Sequence, residues 1–213
     1  PAFVTRWLPS ASPYATPQEE LLTMPGYRPD KTEDIAEAKR LLAEAGYPDG
    51  FETTFTAWTE ASSSEVAVPA FAELLRTSLN IVGEVKVVER ALTAEVLKNG
   101  DFDLFKADTY ATSILDPYPF WNSYLRTGAS QNWSQYSNPD FDALLDELAA
   151  EIDQAKRQEI VNRGLDMLDE NPPFFLIGFC AHSVMASQAV KGLDLANRAW
   201  SKFDRFETVW LDE

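Results

Sequence analysis

Few residues in this chain have the chemistry for covalent catalysis. Among 213 residues there is one histidine, His182, and one cysteine, Cys180. A Ser-His-Asp triad would need His182 as its base, and no G-x-S-x-G elbow marks a partner serine. One His and one Cys cannot assemble the usual zinc sets, and no Asp-x-Asp-x-Asp-Gly loop offers calcium ligands. There is no phosphate-cradling glycine loop and no H-E-x-x-H. A carboxylate-pair hydrolase needs two opposed acids, and the sequence singles out no pair among its 34. The expectation is a protein that is not an enzyme, with no metal and no cofactor. Cys180, in the apolar stretch Phe174–Cys180, reads as buried filler, and His182 as a packed or hydrogen-bonded side chain.

Binding chemistry is better represented. A loop of hydroxyls and acids, Asp108-Thr109-Tyr110-Ala111-Thr112-Ser113-Ile114-Leu115-Asp116-Pro117, is followed by Tyr118, Phe120, Trp121, Asn122 and Tyr124. Aromatic rings offer flat apolar faces, and Tyr and Trp add a polar edge. The competing reading is structural, because Phe120, Trp121 and Tyr124 have helix spacing and would then be core. Trp58, ending a strand, is a second candidate wall. Trp133 is a third, or else it covers the following helix.

Periodicity supplies the elements that would position these groups. Pro9, Pro13, Pro17, Pro25 and Pro29 give residues 1–29 the look of an extended segment laid over a surface. A capping pattern at Asp30–Glu33 opens a helix carrying Ile35, Ala38, Leu41 and Leu42 on one face, and Gly46 ends it. A strand at Phe51–Trp58, a helix at Glu65–Leu79, a strand at Glu84–Glu89, a short helix at Thr93–Lys98 and a strand near Phe102–Ala107 follow. That alternation predicts an α/β layer with part of its sheet parallel, in which ligands gather beyond the strands' carboxyl ends. Two helices follow, capped by Asn138 and Asp153, with the stripe of the first running from Phe141 to Ile152. The run from Phe174 predicts a fully buried strand, and Phe206–Leu211 a last one.

The net charge of −16 repels phosphate backbones and anionic lipid, so nucleic acid and membrane surfaces are poor candidates as partners. The acidic residues are scattered, and their ordinary effect is solubility. No apolar run has the length of a membrane span, and no signal-peptide pattern opens the chain. It begins at Pro1, inside a proline-rich stretch, so the expectation is that a longer protein precedes it.

Three stretches carry a resemblance. They are Ala36–Phe51 with its Gly46-Tyr47-Pro48 turn, Gly100–Leu104 followed by Asp116–Phe120, and Asn132–Asp146. In this order they resemble the C-terminal part of the extracellular solute-binding proteins of family 5, which take dipeptides, oligopeptides or nickel. The resemblance implies the C-terminal lobe of a two-lobed periplasmic-binding-protein-like fold of type II, α/β, with a mixed sheet flanked by helices. Residues 1–29 would lead in from the other lobe, 30–189 form the ligand-binding lobe, and 190–213 return towards the other lobe. It also implies a solute, peptide or saccharide, held between lobes that close on a hinge, and an ABC transporter permease as partner. The location implied is periplasmic, or extracellular with an anchor on a preceding segment.

In the family's peptide binders an aspartate shortly before the Asp-Pro meets the ligand's ammonium group, and this sequence has Ser113 there. Asp116 matches the Asp-Pro, where turn formation is the ordinary role. Asp108, at the strand end, is the other acid within reach. Without either, a neutral oligosaccharide or an opine-like solute suits the lining better than a peptide. A ligand sensor is a further alternative.

Overall fold

A computed structural model describes residues 2–58, 62–107, 115–180, 187–192 and 208–212. The chain forms two compact units, one from residues 22–109 and the other from 1–21 with 110–213. In chain order the first elements are β1 (Ala2–Phe3), α1 (Gln18–Leu21), α2 (Thr32–Glu44), β2 (Glu52–Trp58), α3 (Ser62–Leu79) and β3 (Val82–Val88). Next come α4 (Thr93–Asn99), β4 (Leu104–Phe105), α5 (Tyr118–Tyr124), α6 (Pro139–Ala150) and α7 (Gln154–Glu170). The last are β5 (Phe179–Cys180), β6 (Val190–Lys191) and β7 (Trp210–Leu211).

The unit of residues 22–109 is the expected α/β layer. Its sheet has the order β3-β2-β4, and β2 pairs parallel with both neighbours. The parallel pairing follows from the crossover helices α3 and α4 between successive strands. Phe55 and Ala57 of β2 are buried against Val68 of α3, with Phe71 and Leu75 closing the cluster. Alternate residues of a strand face opposite sides of the sheet, which sends Thr54 and Thr56 the other way. The stripes of α2 and α3 are shallower than their periodicity predicts, since Leu41 and Leu74 are exposed. The capping pattern expected at Asp30–Glu33 does not form as such: the N-cap of α2 is Lys31, without a side-chain cap bond. Asp30 before it makes an Asx turn, accepting the Thr32 N–H at 2.9 Å and its hydroxyl at 2.7 Å.

The other unit is built on the α6–α7 hairpin. Asn138 accepts the N–H groups of Asp140 and Phe141, and Asp153 accepts that of Lys156, so both predicted caps form. Phe141, Leu144, Leu145 and Leu148 of α6 are buried in one core with Ile160, Val161, Leu165 and Leu168 of α7. Each such side chain contributes roughly 1.5–3 kcal/mol by leaving water. Ile152, assigned to the α6 stripe by spacing, is instead 94% exposed. The helix stops at Ala150, and Ile152 lies in the turn between the two caps.

Two expectations are corrected in this unit. The proline-rich opening is turned into the core: Trp7, Leu8 and Tyr14 belong to the buried cluster, and Leu21 of α1 is buried too. Arg6 and Trp7 fasten it to α7, reaching Asp169 at 2.7 and 2.6 Å. The run from Phe174 is not a fully buried strand. Phe175 is 70% exposed, and strand geometry is confined to Phe179–Cys180, paired antiparallel with β1. An apolar run does not by itself specify a strand, and β1 offers only a two-residue partner. Near the chain end, β6 and β7 pair antiparallel. His182, Phe206 and Glu207 lie outside the described residues.

Candidate functional site

Asp108, Tyr110 and Ser113 lie outside the described residues, so the corner is described from Leu115 onward. Both oxygens of the Asp116 carboxylate accept a hydrogen bond there. Its Oδ1 accepts the Tyr118 N–H at 2.9 Å, which fixes the turn into α5. Its Oδ2 accepts from Nη2 of Arg157 at 2.5 Å. Ser12 donates to the Leu115 carbonyl at 2.6 Å and holds the preceding residue.

From this corner α5 carries a row of rings. Phe120 and Tyr124, one helical turn apart, stack with centroids 4.8 Å apart and an interplanar angle of 27°. Trp133 meets Tyr124 edge-on at 5.7 Å. Behind Phe120 stands Phe174 at 6.4 Å, itself edge-on to Trp7 at 5.2 Å. Phe120, Tyr124 and Trp133 are half-buried, so they retain surface for contact beyond their own packing. Burial pushes the Tyr124 phenol up from its ordinary range, with a hydrogen bond to Gln131 pulling the other way.

Trp121 is placed differently. It is 0% exposed, tilted against Phe141 at 5.5 Å, and has no hydrogen-bond acceptor for its indole N–H among the described residues. Its role is to fill the core beneath α5. Asn122 is half-buried, and its Oδ1 accepts from Arg126 at 2.7 Å. Arg126 in turn pairs with Asp146 of α6 at 2.6 Å. Asn132 shapes the loop that presents Trp133, donating to the carbonyls of Arg126 and Tyr136 and accepting the Tyr136 N–H. Trp58 belongs to the other unit, half-buried at the carboxyl end of β2 and edge-on to Phe105 at 6.2 Å.

Asp116, Asn122, Tyr124 and Trp133 thus share one structured region around α5, with Trp121 beneath it. The residues that hold it, Arg157, Arg126, Asn132 and Phe174, carry no local sequence signal for that role. Arg157 bonds to Asp116 across 41 positions of sequence. The arrangement offers ring faces, amides and hydroxyls for noncovalent contact. Among the described residues no cluster of His, Cys, Asp or Glu is placed to hold a metal. Two hollows, of about 470 and 560 Å³, lie on α6–α7 and on the sheet of the other unit, and none of these site residues lines either.

Comparison with known proteins gives a consistent picture. Residues 3–132 match the family described as bacterial extracellular solute-binding proteins, family 5 Middle. The chain is 26% identical over 176 residues to heme-binding protein A of Haemophilus influenzae, covering 75% of this chain and 30% of that protein. It is 27% identical over 137 residues to the periplasmic oligopeptide-binding protein OppA of Salmonella typhimurium, covering 63% of this chain and 25% of that protein. The structure of OppA from Burkholderia pseudomallei superposes with a TM-score of 0.75 at 23% identity, over 89% of this chain and 37% of that one. That likeness establishes a shared fold, and the chain spans less than half the length of each of these relatives.

Proposed function

Since the chain belongs to the bacterial extracellular solute-binding proteins of family 5, we propose that it is the C-terminal lobe of the substrate-binding component of an ABC importer. In this reading it captures a peptide or similar small solute against a second lobe, carried on sequence beyond this chain. Residues 1–29 lead in from that lobe and 190–213 return towards it. Ligand contacts both lobes, so it binds the closed form more tightly and shifts the population towards it. The closed form is what the permease engages, and no chemistry is performed on the cargo. The observation that carries this reading is the family match across residues 3–132, which takes in the loop after β4 and the ring row of α5.

A second cargo class has an observation in its favour. A desolvated ammonium needs a counter-charge, and leaving one unpaired costs a few kcal/mol. Asp116 already serves Arg157 and the Tyr118 N–H, and on the resemblance Ser113 takes the position where the peptide binders carry their aspartate. Unless Asp108 supplies the charge, a neutral oligosaccharide or an opine-like solute fits the lining better than a peptide.

Isothermal titration of the full-length protein and of this chain against peptide and oligosaccharide panels tests both readings. The full-length protein is expected to bind one panel tightly and this chain weakly or undetectably, and tight binding by this chain alone would sink the two-lobe account. Asp108→Asn in the full-length protein separates the cargo classes. A large loss of peptide affinity supports an ammonium contact, and no loss supports a neutral ligand.

A further inference from the structure

Strand β3 is an edge, since the sheet order is β3-β2-β4 and no described strand lies on its far side. The Val82 N–H donates to the Phe51 carbonyl at 2.9 Å, and Val82 stands opposite Glu52. Ladder bonds alternate along a strand, so Val82, Glu84, Lys86 and Val88 direct their backbone groups to β2. Gly83, Val85 and Val87 direct theirs outward, where an unpaired row of donors and acceptors is a template for another strand. The edge is long for an exposed one, seven residues, and contains no proline. Val85 and Val87 are both exposed, Val87 at 58%. Its charges, Glu84 and Lys86, are exposed and opposite in sign, and they flank Val85.

We propose that β3 pairs antiparallel with β3 of a second copy of this chain, about a two-fold axis at Val85. In that register Val85 faces Val85 of the second copy, and Gly83 faces Val87. Every outward N–H and C=O of these residues then has a partner. Glu84 falls opposite Lys86, and Lys86 opposite Glu84, in the closely spaced positions where cross-strand charge pairs count most. The register is selective. Moving the axis to Gly83 sets Glu84 against Val82, and moving it to Val87 sets Lys86 against Val88, so Val85 is the centre that pairs both charges. Local charge balance matters because two chains at −16 repel one another. A single strand pair buries less than the roughly 1,200 Å² at the low end of stable interfaces, so the dimer is weak and concentration-dependent. The inference is independent of what the chain binds.

Sedimentation velocity over a concentration series tests it. The average mass of the parent is expected to climb from the monomer towards twice that value. Glu84→Lys or Lys86→Glu alone sets like charges opposite one another and weakens association by roughly tenfold or more. Mixing the two single variants restores it, because each lysine on the strand of one variant then meets a glutamate on the strand of the other. The Val85 and Val87 amides exchange more slowly as the parent concentration rises. A parent that stays monomeric throughout overturns the proposal, as does a dimer indifferent to both single variants. A mixture no stronger than its components also overturns it.

Discussion

Arg157 and Asp116 form a short ion pair, with Nη2 and Oδ2 2.5 Å apart, at the corner where α5 begins. The same guanidinium donates to the Tyr14 hydroxyl at 3.2 Å, the Leu148 carbonyl at 2.6 Å and the Glu151 carbonyl at 2.7 Å. One side chain therefore joins the opening segment, the end of α6 and the start of the ring row. Burial opposes its charge, but the bonds to Tyr14 and Asp116 outweigh burial and hold it above its ordinary range. Asp116 thus ties the turn into α5 to α7 through this one side chain.

Breaking that pair is expected to be costly. The side chains are 15% and 24% exposed, so solvent screens them little. Asp116→Asn leaves a mostly buried cation without its partner, and Arg157→Lys keeps the charge but loses the fork that reaches two carbonyls and the carboxylate at once. Each variant should lose about 2–3 kcal/mol in urea unfolding of this chain. An Asp116→Asn protein as stable as the parent would remove the pair from the account.

The hold on the opening segment is separately testable. Asp169 accepts from Arg6 Nε at 2.7 Å and from the Trp7 indole at 2.6 Å, and Asp166 adds a second contact to Arg6 at 2.5 Å. Asp169→Ala should cost roughly 2–3 kcal/mol and accelerate limited proteolysis within residues 1–21. Asp169→Asn keeps an acceptor for Trp7 and should fall between. Equal cleavage of all three proteins would show that the segment is held by its apolar side chains alone.

These contacts mark the border of what the sequence discloses. Both helix caps, the parallel strands and the α6–α7 stripe are local patterns, set by residues within a few positions of one another, and they are legible. The ring row is legible as a composition, but helix spacing alone cannot separate Tyr124, which keeps an open face, from Trp121, which is sealed. That distinction depends on Phe141 of α6, far along the chain. Arg6, Arg157 and Asp169 look like ordinary surface charges in sequence because their oppositely charged partners lie 41 to 163 positions away. The prolines of the opening segment correctly exclude long helices there, yet proline content says nothing of which side faces the core.

Gly164 is another residue whose purpose is visible only in three dimensions. A Cβ at this position of α7 would lie 2.6 Å from Cζ3 of Trp121 and 3.3 Å from Cδ2 of Leu144. Helix propensity favours alanine by about 1 kcal/mol. Overpacking against a sealed indole opposes it with roughly 1–3 kcal/mol. Gly164→Ala should therefore lower stability by up to about 2 kcal/mol and alter Trp121 fluorescence, while Gly164→Ala combined with Trp121→Phe should recover part of the loss. A stabilised Gly164→Ala protein would show that the indole shifts freely.

Two phenols, half-buried Tyr124 and buried Tyr136, make stability depend on alkaline pH. Burial pushes Tyr124 up from its ordinary value of 10.0, against a hydrogen bond to Gln131. Burial also pushes Tyr136 up, against a bond to Asn138 and with help from the charge of Asp142. In the unfolded chain these phenols release their protons at the ordinary value, while the folded protein retains them to higher pH. Their contribution is thus fully present below about pH 10 and is lost as pH rises through the folded values. The urea midpoint of the parent should fall between about pH 8 and pH 11, and the fall should shrink in the Tyr124→Phe/Tyr136→Phe double variant. Equal pH slopes in the two proteins would mean that neither phenol is held neutral by the fold.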